Sequence, residues 1–495
     1  MTVRFPVIFL AFLTLLQIAG QAFGETRVAL VIGIAEYRSV PALRNTIKDS
    51  ELVGRTLEAL DFKVTRLSNA SADVFRDSVR RFAFDAETAD VALVYFAGHG
   101  VEVGGRNFLV PSDIQAANRS ELATGSVTLD EVLAAVDKAR QLRIVILDSC
   151  RDDPFARQGA NELVELNLPG QRTTGLAPPS PDRGTLVAFA AEAGAVALDG
   201  AGENSPFALA LASNLASADL EIGLMFRRVR DQVLKSTGNK QEPHTYGSLS
   251  GNPYFLAGRS TEINTLDNDD RRVAWANLAP DQEEQLAALA QDGDSRALKG
   301  LAYMRLNPDE ARFDPTEAVT LLQKAADAGD PEAMFELGKL FEQGIGTKQD
   351  TQKALELFRR SADLDFADAI NDLGFLHFQG GQGIVRDQKK AISLFARAAE
   401  LRHPEAMFNY AALIDDGVVQ GKGAEDSARF LYEALRSGNE DVLKQLSNNP
   451  NMFKQTTRSA LQRKLQEQEL YQGTIDGAFG PQTKRSLRRA YGIVE

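Results

Sequence analysis

Residues 91–113 read VALVYFAGHGVEVGGRNFLVPSD, and residues 143–152 read RIVILDSCRD. In each stretch a run rich in Val, Ile and Leu passes directly into a short polar segment, which is typical of a buried strand that ends at a site. The first polar segment contains His99 and the second contains Cys150. Because sites in parallel α/β sheets assemble beyond the carboxyl ends of the strands, we expect these two segments to meet.

The surrounding region, residues 26–258, alternates apolar runs with amphipathic ones. The predicted strands are residues 27–34, 62–67, 91–96, 143–147 and 185–190, and the predicted helices are residues 45–60, 72–84, 128–139, 206–216 and 223–235. Residues 101–111 predict a hairpin around Gly104-Gly105, and the polar residues 151–184 predict a long loop. This alternation predicts an α/β sandwich, in which a mainly parallel sheet carries helices on both faces.

The N-terminal residues 1–24 have the three parts of a secretory signal peptide. Arg4 supplies the positive start, residues 5–19 form the apolar stretch, and Ala22-Phe23-Gly24 is a small-x-small cleavage site. The alternative is a membrane anchor, which the short and interrupted apolar run disfavours. The sequence therefore predicts a mature chain that begins near Glu25 and is periplasmic or secreted.

The chain of 495 residues carries one cysteine and a formal net charge of −13. Its length predicts two to four domains. One cysteine cannot form an intramolecular disulfide, so the chain is not a disulfide-stabilised scaffold, and an unpaired thiol in an oxidising compartment is a chemical liability. A lone cysteine is commonly a buried packing residue, so its surroundings decide between packing and catalysis. The acidic charge argues against a general nucleic-acid-binding protein, because it repels phosphates.

His99 and Cys150 are the residue types of a nucleophilic site. The imidazole can take the thiol proton or stabilise the thiolate, and it can later protonate the leaving amine. Gly98 and Gly100 leave the backbone around His99 without side chains that would obstruct a substrate. The alternative is a structural histidine with satisfied hydrogen bonds. We predict no metal site, because the remaining histidines and Cys150 form no cluster at metal-ligand spacing.

The segments YFAGHGVEVGGRNFLVPSD and VILDSCRDDPF resemble the histidine and cysteine segments of the caspase/metacaspase superfamily, especially its bacterial members. LRNTIKDSELV and DGAGENSPFALAL are similar to other segments of that family, and the resemblance extends over residues 26–256. One departure is Ala97, where many metacaspases carry serine. The resemblance implies a cysteine-type endopeptidase whose catalytic pair is His99 and Cys150.

Asp148 lies two residues before Cys150, so both side chains are expected on one side of the strand if the strand continues. A carboxylate there would raise the pKa of the thiol, and it makes better sense if a substrate cation pairs with it. The resemblance implies that role, with Asp148 and Asp49 binding Arg or Lys of the substrate. It also implies the backbone N–H groups of Gly100 and Cys150 as oxyanion donors. The alternative is that Asp148 caps a loop and Asp49 caps or decorates a helix.

Residues 283–449 repeat themselves after a linker at residues 259–282. Equivalent small or apolar residues recur at spacings of 36, 36, 37 and 36, at Ala297, Ala333, Ala369, Ala406 and Val442. This period, with helical apolar spacing inside each unit, predicts a helix-pair solenoid. The lines at residues 318–329, 354–364 and 391–401 resemble the Sel-like branch of tetratricopeptide-type repeats, which implies a protein partner on the repeats.

The tail, residues 450–495, contains YQGTIDGAFGPQT at residues 471–483. Its glycines permit tight turns and Pro481 opens a helix. The stretch resembles the core of a small helical domain that binds peptidoglycan, which implies attachment to the cell wall.

These observations predict an exported cysteine endopeptidase that acts on a peptide or protein substrate after Arg or Lys and is held near the cell wall. The alternative is a catalytically silent adaptor that recruits partners through its repeats, and a third possibility is a factor that acts on peptidoglycan peptides. No cofactor is predicted. Calcium dependence occurs in relatives, but the sequence offers no binding loop for it.

Overall fold

The computed structural model describes residues 25–115, 119–150, 184–192, 197–198, 202–247, 249, 253–258, 275, 278, 280–308 and 311–493, and of Cys150 it describes the backbone only. The predicted signal peptide and most of the predicted loop and linker lie outside these residues. The described residues up to 258, with 278 and 280–282, form one compact unit, and residue 275 with residues 283–493 forms another. Within these ranges, no helix combines the length and apolarity needed to cross a bilayer.

An eight-stranded sheet forms the centre of the first unit, and its main path runs β2-β1-β3-β6-β7-β8. The strands are β1 Arg27–Gly33, β2 Phe62–Ser68, β3 Val91–Val103, β4 Arg106–Leu109, β5 Val127–Thr128, β6 Leu142–Cys150, β7 Thr185–Phe189 and β8 His244–Gly247. Along the path only β8 is antiparallel to its neighbour, while β4 forms a hairpin with β3 and pairs with β5. The predicted mainly parallel sheet is confirmed.

Helices cover both faces of this sheet, as the sequence predicts. They are α1 Thr46–Glu58, α2 Ala72–Ala86, α3 Arg119–Gly125, α4 Leu129–Val136, α5 Pro206–Leu215 and α6 Ile222–Thr237. Helices α2 and α4 share an apolar core with one face of the central strands. Helices α1 and α5 pack against each other, and α1 packs on β1 and β3. All residues of β3 from Val91 to Val101 are buried, which is why this strand reads as a nearly continuous apolar run.

Two strands extend further than their apolar runs predict. Strand β3 continues beyond Phe96 to Val103, because its last residues pair with β4. Strand β6 continues to Cys150, which pairs with His99. Strand β8, which begins at His244, is not among the strands that the apolar runs predict, and it forms because its polar segment pairs with β7 through the backbone, His244 opposite Phe189. Backbone pairing with a neighbouring strand therefore determines where β3 and β6 end and where β8 begins.

The second unit is a series of helix pairs. Its helices and the helix that leads into it are α7 Pro280–Gln291, α8 Ser295–Arg305, α9 Pro315–Asp327, α10 Pro331–Gln343, α11 Thr351–Asp363, α12 Ala367–Gln379, α13 Gln388–Glu400, α14 Pro404–Asp416, α15 Ala424–Arg436, α16 Glu440–Asn448, α17 Gln455–Glu467 and α18 Pro481–Tyr491. Asp294 and Asp330 cap α8 and α10, while Asp314, Asp350 and Asp387 cap the second helices of successive pairs. These carboxylates accept hydrogen bonds from first-turn N–H groups, so they fix where the helices begin.

The predicted repeat register is confirmed in this unit. Ala297, Ala333, Ala369, Ala406 and Val442 are each at most 1% exposed and lie in the first helix of successive units. The one spacing of 37 residues arises in the loop between α12 and α13, which has one residue more than the loop between α10 and α11.

The tail packs directly on the last repeat helices. Phe453 lies edge-on to Phe408, with ring centroids 5.6 Å apart. Asp415 of α14 accepts hydrogen bonds from the backbone N–H of Lys454 and from the hydroxyl of Thr457. Helices α14 to α18 contribute to one hydrophobic cluster. The predicted domain boundary at residue 449 therefore falls inside a continuous core.

Candidate active site

The parallel ladder between β3 and β6 brings the two predicted catalytic residues together. His99 and Cys150 are paired in register at the last position of this ladder. Neighbouring strands lie about 4.8 Å apart, so the two backbones are adjacent although 51 residues separate them in the chain. The sequence expectation that the two segments meet is consistent with this pairing.

The imidazole of His99 is held by a backbone carbonyl. The side chain is buried, and its Nε2 lies 2.7 Å from the carbonyl oxygen of Pro41. A carbonyl oxygen can only accept a hydrogen bond, so this contact assigns the proton of the neutral ring to Nε2. Nδ1 is then the nitrogen that can take up a proton.

Tyr37, which the sequence reasoning missed, fixes the backbone beneath this ring. Its hydroxyl accepts a hydrogen bond from the N–H of His99 at 2.9 Å and donates to the carbonyl of Ile34 at 3.1 Å. The Tyr37 and His99 rings lie 4.8 Å apart. A Cβ on Gly98 would lie 2.8 Å from the Tyr37 hydroxyl and 2.7 Å from the Phe96 ring. Close packing by Tyr37 and Phe96 therefore explains why residue 98 is a glycine. The sequence analysis had instead suggested that Gly98 keeps the backbone open to a substrate.

Tyr37→Phe is expected to lower kcat about tenfold, with a small change in KM, because it leaves the N–H of His99 without its acceptor and loosens the ring. Steady-state kinetics on an Arg-ending reporter peptide measure the effect. Tyr246→Phe, in β8, is the matched control and should keep full activity. An equal loss in both variants, or a loss that only follows a lower Tm, would contradict a positioning role for Tyr37.

The N–H of Gly100 points toward β6. The carbonyl of His99 accepts from Val110 of the hairpin, and its N–H donates to Tyr37. The backbone N–H and carbonyl of His99 therefore both face away from β6. Because successive backbone groups of a strand point in opposite directions, the N–H of Gly100 faces the strand that ends at Cys150. The oxyanion role of Gly100 stays a prediction.

Asp49 and Asp148 come from different elements but share one partner. The Asp49 carboxylate accepts from the N–H of Ser205 and from the side chain of Asn204, each at 2.9 Å. The Asp148 carboxylate accepts from the Ser205 hydroxyl at 3.1 Å and from the Tyr95 hydroxyl at 2.8 Å. Both carboxylates are buried, being 2% and 8% exposed. Ser205 thus connects the two acidic residues.

Local structure explains why Ser205 stands there. Its side chain caps α5 by accepting from the N–H of Ala208, and Pro206 follows as the first helical residue. Burial raises the pKa of Tyr95 well above its usual value, and the charges of Asp148 and then Asp49 raise it further. The charges of both carboxylates therefore act on the Tyr95 hydroxyl. Asp49 lies in the first turn of α1, and its side chain is buried against residues 204–205. It is therefore neither the cap of α1 nor an exposed residue on its surface.

Comparison with known proteins identifies the parts of the chain. Residues 26–254 match the family model described as the caspase domain, and residues 295–330, 331–366 and 367–403 each match the Sel1 repeat. The register of the three matched repeats coincides with the helix pairs α8–α9, α10–α11 and α12–α13.

Two curated relatives match part of the chain. A stretch of 136 residues is 32% identical to mucosa-associated lymphoid tissue lymphoma translocation protein 1 of Homo sapiens, covering 27% of this chain and 16% of that protein. The homolog of Mus musculus is 32% identical over 133 residues, with the same coverages. The chain thus spans about a sixth of the length of the curated relatives it matches.

Solved structures are similar at low identity. Caspase-1 from Spodoptera frugiperda has a TM-score of 0.34 at 18% identity, over 48% of this chain and 93% of that one. A Sel1 repeat protein from Oxalobacter formigenes has a TM-score of 0.32 at 22% identity, over 41% of this chain and 91% of that one. On the two family matches, the chain contains a caspase domain followed by three Sel1 repeats.

Proposed function

We propose that the protein is an exported cysteine-type endopeptidase that cleaves peptide bonds after Arg or Lys, with Cys150 as nucleophile and His99 as acid and base. The observation that carries this proposal is the pairing of His99 with Cys150 at the end of the β3–β6 ladder, next to the buried carboxylates of Asp49 and Asp148. The match of residues 26–254 to the caspase domain supports the reaction class.

In this mechanism His99 accepts the thiol proton of Cys150 at Nδ1, while Pro41 holds Nε2–H. The thiolate attacks the substrate carbonyl, and the negative oxygen that forms is stabilised by the N–H groups of Gly100 and Cys150. His99 then returns the proton to the leaving amine. Water hydrolyses the thioester, with His99 again accepting a proton, and the free thiol is restored.

Substrate preference is assigned to Asp148 and Asp49. Two carboxylates close to each other in a buried place favour a cation, and a guanidinium or ammonium group would form charge-assisted hydrogen bonds with them. The decisive experiment incubates the protein with peptides that end in Arg, Lys or Asp ahead of a reporter group. Turnover of the first two supports the proposal, and no turnover of any of them favours the adaptor.

We further propose that the chain is held at the cell wall by its tail. The tail is basic, with eight Lys/Arg against three Asp/Glu between residues 454 and 492. Because it shares a core with α14 to α16, truncation at residue 449 would expose apolar side chains, so surface substitutions are the sharper test.

Replacing the exposed Lys484 and Arg485 of α18 by Gln is expected to reduce co-sedimentation with purified cell wall several-fold, because the charge attraction is lost. Lys389 and Lys390, exposed in α13, provide a control pair of the same charge. Equal sedimentation of both double variants would remove the tail as the attachment element.

Export is tested separately. The sequence obtained by N-terminal sequencing of the exported protein should start near Glu25.

A further inference from the structure

A pocket of about 690 Å³ lies beside the loop that joins α12 to α13. It is lined by Arg359 of α11, His377 of α12 and residues 383–389, all of which belong to the second unit. Its volume falls within the range of about 300–1,000 Å³ that is typical of ligand sites. We call it the loop pocket.

Hydrogen bonds and packing fix the wall that the loop contributes. Gly381 and Ile384 exchange two backbone hydrogen bonds, of 3.0 and 2.8 Å, across a tight turn. The side-chain amide of Gln382 donates to Glu342 of α10 at 2.5 Å, and Ile384 is only 8% exposed. Because this wall is already ordered, a ligand that enters the pocket does not have to order it at a cost in conformational entropy.

The charge of the loop pocket is positive. Arg359, Arg386 and Lys389 line it, and all three side chains are exposed. In the described part of the chain none of these three cations forms an ion pair. Asp387 is the one carboxylate among the described lining residues, and it caps α13 by accepting from the N–H of Lys390 at 2.9 Å. The pocket therefore has a surplus of positive charge on a chain whose net charge is −13.

The preceding repeat shows that the fold does not require these cations. Helices α9, α11 and α13 are the second helices of successive pairs and begin at residues 315, 351 and 388. On this alignment, neutral glutamines of the preceding repeat occupy the positions of Arg359, Arg386 and Lys389, and they are Gln323, Gln349 and Gln352. A helix pair of the same architecture thus forms with uncharged side chains at these positions. Packing of the repeats does not explain the three cations, whereas an anionic ligand would.

Two features favour an acidic peptide over a small inorganic anion. The carboxylate of Asp387 stands at the N-terminus of α13, where it repels a phosphate that the helix would otherwise attract. Val385, which also lines the pocket, is 84% exposed, the highest value for a large hydrophobic side chain among the described residues. A peptide can cover Val385 with an apolar side chain, and a free anion cannot.

We propose that the loop pocket binds an acidic segment of a protein partner, in which Asp or Glu side chains pair with Arg359 and Arg386 and an apolar side chain contacts Val385. Each guanidinium can hold a carboxylate through two parallel hydrogen bonds. Lys389 adds a third cation in the first turn of α13. This inference gives the chemistry of the partner that the repeats imply, and it does not depend on peptidase activity.

Fluorescence anisotropy with full-length Cys150→Ala protein tests the proposal. The probe is a short labelled peptide of Glu and Ala with one central Leu, and the control ligand carries Gln in place of Glu and should bind at least about tenfold more weakly. The double variant Arg359→Gln/Arg386→Gln is expected to weaken binding of the Glu peptide at least about tenfold, because two charge-assisted contacts are lost. Its Tm should stay unchanged, since glutamine occupies both positions in the preceding repeat.

Two further variants separate local contacts from overall charge. Lys324→Gln/Lys348→Gln removes the same charge from exposed residues that do not line the pocket, and it should change affinity less than about twofold. Val385→Ser should weaken binding of the Leu-containing peptide about threefold, because an apolar contact is lost. It should leave binding of the same peptide with Ala in place of Leu unchanged.

Equal losses in the two double variants would overturn the proposal, because affinity would then follow the overall charge. So would a tenfold loss in Lys484→Gln/Arg485→Gln, since the peptide would then bind the basic tail. Displacement of the peptide by inorganic phosphate near the peptide's own Kd, at constant ionic strength, would make the pocket a site for free anions and contradict a peptide ligand. Peptide hydrolysis plays no part in these measurements, so a failed peptidase assay leaves their outcome unaffected.

Discussion

Cys150→Ala is expected to abolish hydrolysis of an Arg-ending reporter peptide, with a loss of at least about a thousandfold in kcat/KM. The thiol is the proposed nucleophile, and no other cysteine in the chain can replace it. His99→Ala should cause a loss of similar size, because the thiolate forms only when a base takes its proton. Combining both changes should add little to either loss, since the two residues act as a unit.

The control for this prediction must separate chemistry from folding. His99 is buried and packs against Tyr37, so His99→Ala leaves a cavity, while Cys150→Ser keeps the size of the side chain. Circular dichroism melts and binding of an uncleaved peptide analogue measure the fold and the substrate site independently. If either Ala variant kept its turnover at an unchanged Tm, that residue would have no catalytic role.

Asp148→Asn is expected to lower kcat/KM for Arg-ending peptides by about thirtyfold to several thousandfold, because truncation of one partner of a buried charge pair costs about 2–5 kcal/mol. The amide keeps the size of the carboxylate, and its oxygen can still accept from Tyr95 and Ser205. The change therefore removes charge with little disturbance of the network. Kinetics with Arg-, Lys- and Asp-ending peptides would show the loss confined to the basic residues.

Asp49→Asn should act in the same direction, since both carboxylates are joined through Ser205. Asp130→Asn, at an exposed residue of α4 in the same unit, is the matched control and should change kcat/KM less than about twofold. The acidic-pocket proposal fails if wild-type protein cleaves Arg- and Asp-ending peptides equally, or if Asp148→Asn retains the wild-type preference.

Local patterns in the sequence were sufficient to predict most of the strands and helices and their order along the chain. A strand appears in the sequence as a short apolar run, and a helix appears as apolar residues at helical spacing. Both patterns involve only residues that are close in the chain, so β1, β6 and the repeat helices could be predicted. The repeat register followed from residues such as Ala333 and Ala369, which recur because every helix pair must bury the same position. The capping residues Ser205 and Asp330 likewise belong to local helix starts.

Contacts between distant segments could not be predicted in this way. Tyr37 meets His99 across 62 residues, and Ser205 meets Asp148 across 57. Strand pairing, and not residue composition, carried β3 on to Val103 and placed His244 in β8. A sequence motif records which side chain is present, whereas its partner depends on how the sheet is ordered and which helix covers it.

The sequence by itself determined the caspase-like α/β unit, the repeat period and the identity of the candidate residues His99, Cys150, Asp49 and Asp148. Only the tertiary structure decided that Pro41 sets the tautomer of His99, that Ser205 joins the two carboxylates, and that the tail is part of the repeat core. The physical reason is range. Secondary structure follows from hydrogen bonds and apolar spacing within a few residues, while a site is assembled by packing that brings together residues from separate elements.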